Sequence, residues 1–520
     1  MKKNILTVAL AGMFSIGLTA CNGGAGQTSA NSNQAHSTAT TVTTSVDNQN
    51  LANNTAAIKA AYIDFTAMIS FLQIPSSAYA NLNMLVFAFA DTDVDSIKPA
   101  YANEIQQVLK AQTSGTINLL SLGGEAAKTS NFQLGNVDQI VNHIVNQISN
   151  FNQQYSVNGR KIDGVDLDLE NGISADVIDA LAQKFKQHNL IVSAAPQVYL
   201  STGSNINSNA PDNMVLTSGS SDGSELSHQN VYQSALSHNS IDYLLVQPYN
   251  TPEFTVDGAY ESSVHIVKNV AKALNNTVKT SCANASSLCI PKSTKIVVGT
   301  IANKTAGSYS MFNNNITADD QKATLNELKK DLDSMQNDPS YANISGTMVW
   351  SLGRDYYLEG KAPFPAAAGA FNSIIFGATP VAPTSEFKLQ ISNTGPNIAG
   401  DNAYASATLV INGNYYVLGT SWNSPITPGN SQRWGTSTVA GADIVDSPAL
   451  DELFKNGNKL VTTSQIIMNG YSSFDSKLGD VSPAHQFVCD MGTNYKFEAG
   501  HEYNLMINPA FKTCAITQIS

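Results

Sequence analysis

Charge is scarce in this chain. Only 13% of its 520 residues are Asp, Glu, Lys or Arg, and 28 basic residues face 40 acidic ones, a formal net charge of -12. That balance argues against a nucleic-acid partner, whose binders are usually basic, and sets no electrostatic barrier against a neutral polymer. Cysteine is sparse too, with five residues. No Cys or His cluster has metal-ligand spacing, so neither a metal nor another cofactor is expected. Long apolar runs are missing apart from Ile5 to Leu18, which is short for a membrane span. What is present is a 42% apolar fraction, ordinary for globular protein, and a length sufficient for two domains or more.

The short apolar run follows Lys2 and Lys3 and ends in Leu18-Thr19-Ala20-Cys21, so residues 1–21 read as a targeting segment. Its end resembles the bacterial lipoprotein signal, in which the cysteine is lipidated and becomes the mature N-terminus. Plain secretion is the alternative, disfavoured because ordinary cleavage takes small residues where Leu18 stands. Asn22, which is not Asp, resembles lipoproteins sorted to an outer membrane. The expected location is therefore extracytoplasmic, as an outer-membrane or surface lipoprotein or a secreted protein. A lipid on Cys21 would be its one membrane contact. The other four cysteines suggest two pairs, Cys282 with Cys289 and Cys489 with Cys514, stable only outside the cytoplasm. Residues 22–50 are Ser, Thr, Asn, Gln and Gly with almost nothing to bury, a flexible tether.

Residues 51–377 alternate apolar runs with helical patterns. Ala60–Phe65, Met84–Ala90, Ile117–Leu122, Leu190–Ala195, Tyr243–Gln247, Lys295–Thr300 and Gly346–Trp350 read as strands. Val137, Val141, Ile144, Ile148 and Phe151 mark one helix, and Val177, Ile178, Leu181 and Phe185 another, capped by Ser174. Leu325, Leu328, Leu332 and Met335 mark a third, capped by Thr317. Between the first two helices lies Lys161-Ile-Asp-Gly-Val-Asp-Leu-Asp-Leu-Glu-Asn171, in which Val165, Leu167 and Leu169 alternate with Asp166, Asp168 and Glu170. That two-residue period puts the three carboxylates on one face of a strand, with Asp163 where the strand begins. About eight strands alternating with helices predict an α/β fold, a (β/α)8 TIM barrel whose site lies at the C-terminal strand ends. Glu170 is at that end. Inside a barrel, crowded carboxylates cannot all ionise cheaply, so at least one pKa should rise, as glycosidic cleavage requires. On an antiparallel strand the same acids would merely face water.

Residues 378–386 form a Pro- and Thr-rich linker, and 387–520 a smaller, mostly β domain of sandwich type. Lys388–Ile391, Ala407–Ile411 and Tyr415–Gly419 are β-type runs, and Ala449–Phe454 is the one clear helix signal. Tyr415, Tyr416, Trp422 and Trp434 read either as an aromatic strip for sugars or as core, with core slightly favoured.

Asp163, Asp166, Asp168 and Glu170 resemble the Asp-x-x-Asp-x-Asp-x-Glu signature of family 18 glycoside hydrolases, the chitinase family. Ser121-Leu-Gly-Gly124, Ala194-Ala-Pro-Gln197, Val246-Gln-Pro-Tyr-Asn250 and Gly346-Thr-Met-Val-Trp-Ser351 resemble the family's other strand-end motifs, in the right order. The form is most similar to the hevamine-type branch of plant and bacterial chitinases. Two departures concern the groove rims: Val298-Gly-Thr-Ile-Ala302 stands where the branch has a Gly-Leu-Pro-Ala-like run, and Pro248 replaces an aromatic. The resemblance implies that Glu170 is the general acid and that the substrate's own 2-acetamido carbonyl attacks, giving an oxazolinium-like intermediate. Asp168 would orient the acetamido N–H and share charge with Asp166, and Tyr249 would donate to the acetamido oxygen. Trp350 would form the apolar floor under the sugar, with plain core as the other reading. Gln247 and Asn250 are candidate sugar contacts or loop hydrogen bonds. Asp163 is placed with the substrate-binding residues, although support of the strand end through hydrogen bonds is the more natural role for it.

The implied activity is an endo-acting chitinase cutting β-1,4 bonds between N-acetylglucosamine units with retention, working as a monomer on chitin or a related glycan. An endo-β-N-acetylglucosaminidase acting on protein-linked glycans shares the barrel and the acids. A carbohydrate-binding lectin on the same fold is the non-enzymatic alternative, although such lectins usually lack the acid that Glu170 supplies.

Overall fold

The computed structural model describes residues 57–65, 74, 76–219, 225–251, 254–283, 285–307, 309–315, 317–356, 369–378, 386–396, 403–411, 414–420, 426–436, 439, 443–454, 460–471 and 486–519. The targeting segment with Cys21, the tether, most of the linker, Trp422 and the side chain of Tyr415 lie outside them. No helix among the described residues is long and apolar enough to cross a membrane.

Eight apolar runs pair in parallel into a closed barrel. The strands are β1 (Ile58–Asp64), β2 (Met84–Ala88), β3 (Ile117–Gly123), β4 (Gly164–Asp168), β5 (Ile191–Ala194), β6 (Tyr243–Val246), β7 (Lys295–Ile301) and β8 (Ile344–Trp350). Each pairs with its neighbour in sequence, and β8 closes on β1 through Ile58 opposite Gly346. Parallel strands covered by helices must be apolar on both faces, and the two faces build two cores. Ala60, Tyr62, Met84, Val86, Leu119, Leu245, Val297 and Met348 pack inside the barrel. Val165, Leu167 and Leu169 pack outward against a helical layer that includes Ile144, Ile148, Val177, Ile178 and Leu181. Asp166 and Asp168 therefore point inward.

The outer layer holds α1 (Pro99–Ala111), α2 (Val137–Tyr155), α3 (Ala175–Gln187), α4 (Ile266–Thr277), α5 (Ala318–Met335) and α6 (Ala370–Phe376). Thr317 caps α5 in a full capping box: its side chain accepts from the Asp320 N–H, and the Asp320 carboxylate accepts from the Thr317 N–H. Ser174 occupies the N-cap position of α3 but makes no side-chain capping bond. Two connections differ: between β1 and β2 the described residues include a short 3-10 turn, Ser76–Tyr79, and between β5 and β6 the helix has five residues, Gln233–Ser237. An extra antiparallel pair, Gln197–Leu200 with Met214–Thr217, extends from the end of β5. The connection from β7 to β8 carries α5 and two 3-10 turns.

The C-terminal residues form two sheets around a separate core. One sheet has five strands, centred on Lys388–Asn393, Ser431–Gly435 and Glu502–Asn508, and the other has four, Asn414–Thr420, Ala403–Ile411, Leu460–Tyr471 and Gln486–Glu498. Alternate residues Phe387, Leu389 and Ile391 meet Leu409, Ile466 and Phe487 in that core. Trp434 is fully buried in it, so it cannot belong to an aromatic strip, and Tyr416 packs against its edge. Cys489 is bonded to Cys514, joining a strand of one sheet to a strand of the other, and Cys282 is bonded to Cys289 after α4.

Candidate active site

Strand register brings the first polar group together. Ser121 on β3, Asp166 on β4 and Ser193 on β5 stand side by side at one level of the barrel. Both serine hydroxyls donate to the Asp166 carboxylate, Ser121 at 2.7 Å and Ser193 at 2.5 Å, and the Tyr62 hydroxyl reaches from β1 to donate at 2.8 Å. Asp166 is fully buried. Burial raises its pKa, while the three hydroxyls pull the other way by favouring the anion.

One residue pair further along β4, Asp168 is buried and Gln247 donates to its Oδ1 at 2.8 Å. The same amide donates to the Ala195 carbonyl at 2.7 Å, which fixes its orientation. Burial pushes the Asp168 carboxyl well up, and the Glu170 and Asp166 charges add to the rise. Glu170 follows just past the strand end, half-buried at the open mouth. Burial, reinforced by Glu125, lifts it to about 7. Glu170 thus keeps a proton near neutrality above two further buried carboxyls, both also raised by burial.

Glycine makes room for this approach. The Gly124 N–H donates to the Asp168 carbonyl at 2.7 Å, and a Cβ on Gly123 would lie 2.1 Å from that oxygen. Gly123 also has φ +108°, which disfavours any L side chain. Gly123 is therefore demanded by backbone contact between β3 and β4, and Gly124 by the Phe89 ring, which a Cβ there would meet at 2.5 Å.

Tyr249 is buried past the end of β6. Burial and the Asp168, Glu170 and Asp166 carboxylates push its hydroxyl well up, so it remains a hydrogen-bond donor. Trp350 is half-buried at the end of β8, its ring edge-on to Tyr62 at 5.4 Å and tilted on Phe89 at 5.7 Å. Two expected sugar contacts are occupied otherwise. The Asn250 Oδ1 accepts from the Tyr309 N–H at 3.2 Å, so this side chain holds a loop. Asp163 corrects the grouping with substrate-binding residues: it precedes β4, at the opposite end from Glu170, and accepts from the Asn118 N–H at 3.0 Å. Burial raises it to about 6. It ties the strand base and does not reach the mouth.

The chain is similar to solved structures of family 18 chitinases. A family 18 chitinase from Chromobacterium violaceum is 19% identical with a TM-score of 0.41, over 62% of this chain and 83% of that one. A chitinase from Aspergillus fumigatus is 14% identical with a TM-score of 0.36, over 60% and 94%. A family 18 N-acetylglucosaminidase from Paenibacillus barengoltzii is 10% identical with a TM-score of 0.37, over 62% and 100%. No family model and no curated protein matches the chain.

The site also contains residues outside the candidates read from the sequence, although Gln197 closes the Ala-Ala-Pro-Gln motif. Tyr62 and Ser193 complete the ring of donors on Asp166, and the Gln197 amide donates to Glu170 Oε2 at 3.4 Å. Ser193 has a local signal, a lone polar residue in the apolar run Ile191–Ala194. Tyr62 has none, because only barrel closure brings β1 within reach of β4. Among the described residues no group of three or more His, Cys, Asp or Glu could hold a metal ion. The arrangement offers a proton donor at the rim, a buried charge-coupled pair beneath it and a phenol donor beside both.

Proposed function

We propose that the chain is a family 18 glycoside hydrolase, a chitinase that cuts β-1,4 bonds between N-acetylglucosamine units. The observation that carries this is Glu170, a carboxyl lifted to about 7 at the mouth of the barrel and backed by Asp168 and Asp166. A carboxylic acid held protonated near neutrality is what a glycosidic leaving oxygen needs. In this mechanism Glu170 protonates that oxygen. The substrate's 2-acetamido oxygen attacks the anomeric carbon, and the bond to the leaving group breaks. Asp168 accepts from the acetamido N–H, a contact that strengthens as positive charge develops, and Tyr249 donates to the acetamido oxygen and so aims it at the anomeric carbon. Glu170, now a carboxylate, then takes a proton from the water that opens the oxazolinium, and the product keeps its β configuration. Asp166, held by three hydroxyls, supplies the negative charge beneath Asp168. Trp350 supplies the apolar floor.

Cutting within the polymer is part of the same reading. The β7–β8 connection has room for one helix of 18 residues and its turns, whereas an inserted wall domain needs roughly 50 residues of its own. A groove open at both ends admits a chain anywhere along its length. The chain is read as an extracytoplasmic monomer, lipidated at Cys21 and held off the membrane by the tether, or secreted, with residues 387–520 as an accessory domain.

Turnover on a chitin hexamer beside a high-mannose glycopeptide tests the reading. Cleavage of the hexamer is expected. Cleavage of the glycopeptide alone would transfer the assignment to an endo-β-N-acetylglucosaminidase, and binding without cleavage of either would leave a lectin.

A further inference from the structure

The large apolar side chains exposed among the described residues include two aromatic ones, Tyr260 and Tyr309. A single exposed tyrosine is ordinary. Tyr309 is set apart by what holds it. The Asn250 N–H donates to the Tyr309 carbonyl at 2.9 Å, and the Tyr309 N–H donates back to Asn250 Oδ1 at 3.2 Å. Asn250 directly follows Tyr249. The next residues, Ser310, Met311 and Phe312, are buried, so the loop is anchored on its far side as well. The Tyr309 side chain nevertheless stands 46% exposed. On the Asn250 side the fit is close: a Cβ on Gly307 would lie 2.9 Å from Asn250 Oδ1. Asn250 itself has φ 59°, the left-handed region that Asn tolerates better than most residues.

Topology gives this aromatic its place. The loop leaves the C-terminal end of β7, on the same face of the barrel as Glu170. β7 lies between β6, which leads to Tyr249, and β8, which ends in Trp350. An exposed ring on a loop that leaves this strand end and is tied to Asn250, the neighbour of Tyr249, has the attributes of a carbohydrate platform. Sugar rings present a face of C–H bonds, and aromatic side chains offer flat apolar area with little conformational entropy to lose.

We propose that Tyr309 is a stacking platform for a sugar ring of a bound N-acetylglucosamine chain, outside the position where the bond is cut. This rests on the hydrolase reading above and adds a binding position to it. The platform selects for chain length: a long oligomer reaches it and the shortest cleavable one does not. It also uses a ring, not a hydroxyl, so phenylalanine serves as well.

The test is hexamer affinity by calorimetry in the Glu170→Gln protein, with and without Tyr309→Ala or Tyr309→Phe, and steady-state kinetics of the same Tyr309 variants with Glu170 intact. Tyr309→Ala should weaken hexamer binding about three- to tenfold and raise KM for the hexamer with kcat kept. Tyr309→Phe should match the parent, and the shortest cleaved oligomer should show no change. Equal hexamer affinity with Ala, or a loss of kcat at unchanged KM, would overturn the platform. Because binding is read in the Glu170→Gln background, absence of turnover in the parent protein would overturn the hydrolase reading and leave the platform to be judged on affinity.

Discussion

The Gln247 amide donates to Asp168 at 2.8 Å and to the Ala195 carbonyl at 2.7 Å, so the end of β5 sets the orientation of a carboxylate on β4 through a residue that follows β6. Gln247 is buried and has no freedom to leave. In the proposed mechanism its use is to hold Asp168. Gln247→Leu should lower kcat by about tenfold to a hundredfold, the worth of one hydrogen bond to a charged group, with KM changed far less. Asp168→Asn and Tyr249→Phe should show the same split. A rise in KM at constant kcat would make these residues ordinary binding groups.

The pH profile follows from Glu170. Its carboxyl is lifted to about 7, first by burial and then by Glu125. The general acid works protonated, so kcat/KM should hold below that value and fall as pH rises through about 7. Glu125→Gln removes a like charge and should move this basic limb to lower pH. A limb that stays in place, or moves up, would remove Glu125 from the site's electrostatics.

Stability should depend on pH in the same sense. Burial lifts Asp163 to about 6, Glu170, Glu261 and Asp355 to about 7, and Glu104 to about 8, from ordinary values of 3.8 for Asp and 4.5 for Glu. Between these limits the folded chain keeps protons that the unfolded chain has released. Unfolding free energy therefore falls as pH rises. The midpoint of thermal unfolding should be higher near pH 5 than near pH 8, when measured by calorimetry at constant ionic strength. A midpoint that climbs across that range would contradict the burial of these groups.

The acids were the most legible part of the site. Asp166, Asp168 and Glu170 alternate with Val165, Leu167 and Leu169, and strand geometry turns that alternation into a shared face. Neither Tyr62 nor Gln197 belongs to such a pattern, because their contacts depend on barrel closure and on strand register. Asp163, inside the same motif, stands where the strand begins, and chain direction alone puts it at the end away from Glu170. α4 is readable by the rule that finds α2, since Ile266, Val267, Val270, Ala271 and Leu274 make one buried face. Trp434 could be read either as core or as binding surface, since an aromatic residue suits both, and the sheet pairing buries it.

The open groove has its own consequence. If internal bonds are cut, the viscosity of a soluble chitin derivative should collapse while few reducing ends have appeared. A slow loss of viscosity with disaccharide as the first product would mean action from chain ends.

The measurement that bears most directly on the whole account is turnover of the chitin hexamer by Glu170→Gln. Glutamine keeps the shape and cannot give up a proton as an acid. Turnover should fall by about 10²–10⁴-fold or more, while the thermal midpoint at pH 8 stays equal to or above the parent's, since a buried charge is gone. Turnover equal to the parent's, in a protein that is folded, would mean that Glu170 is not the acid and that the catalytic reading of this barrel is wrong.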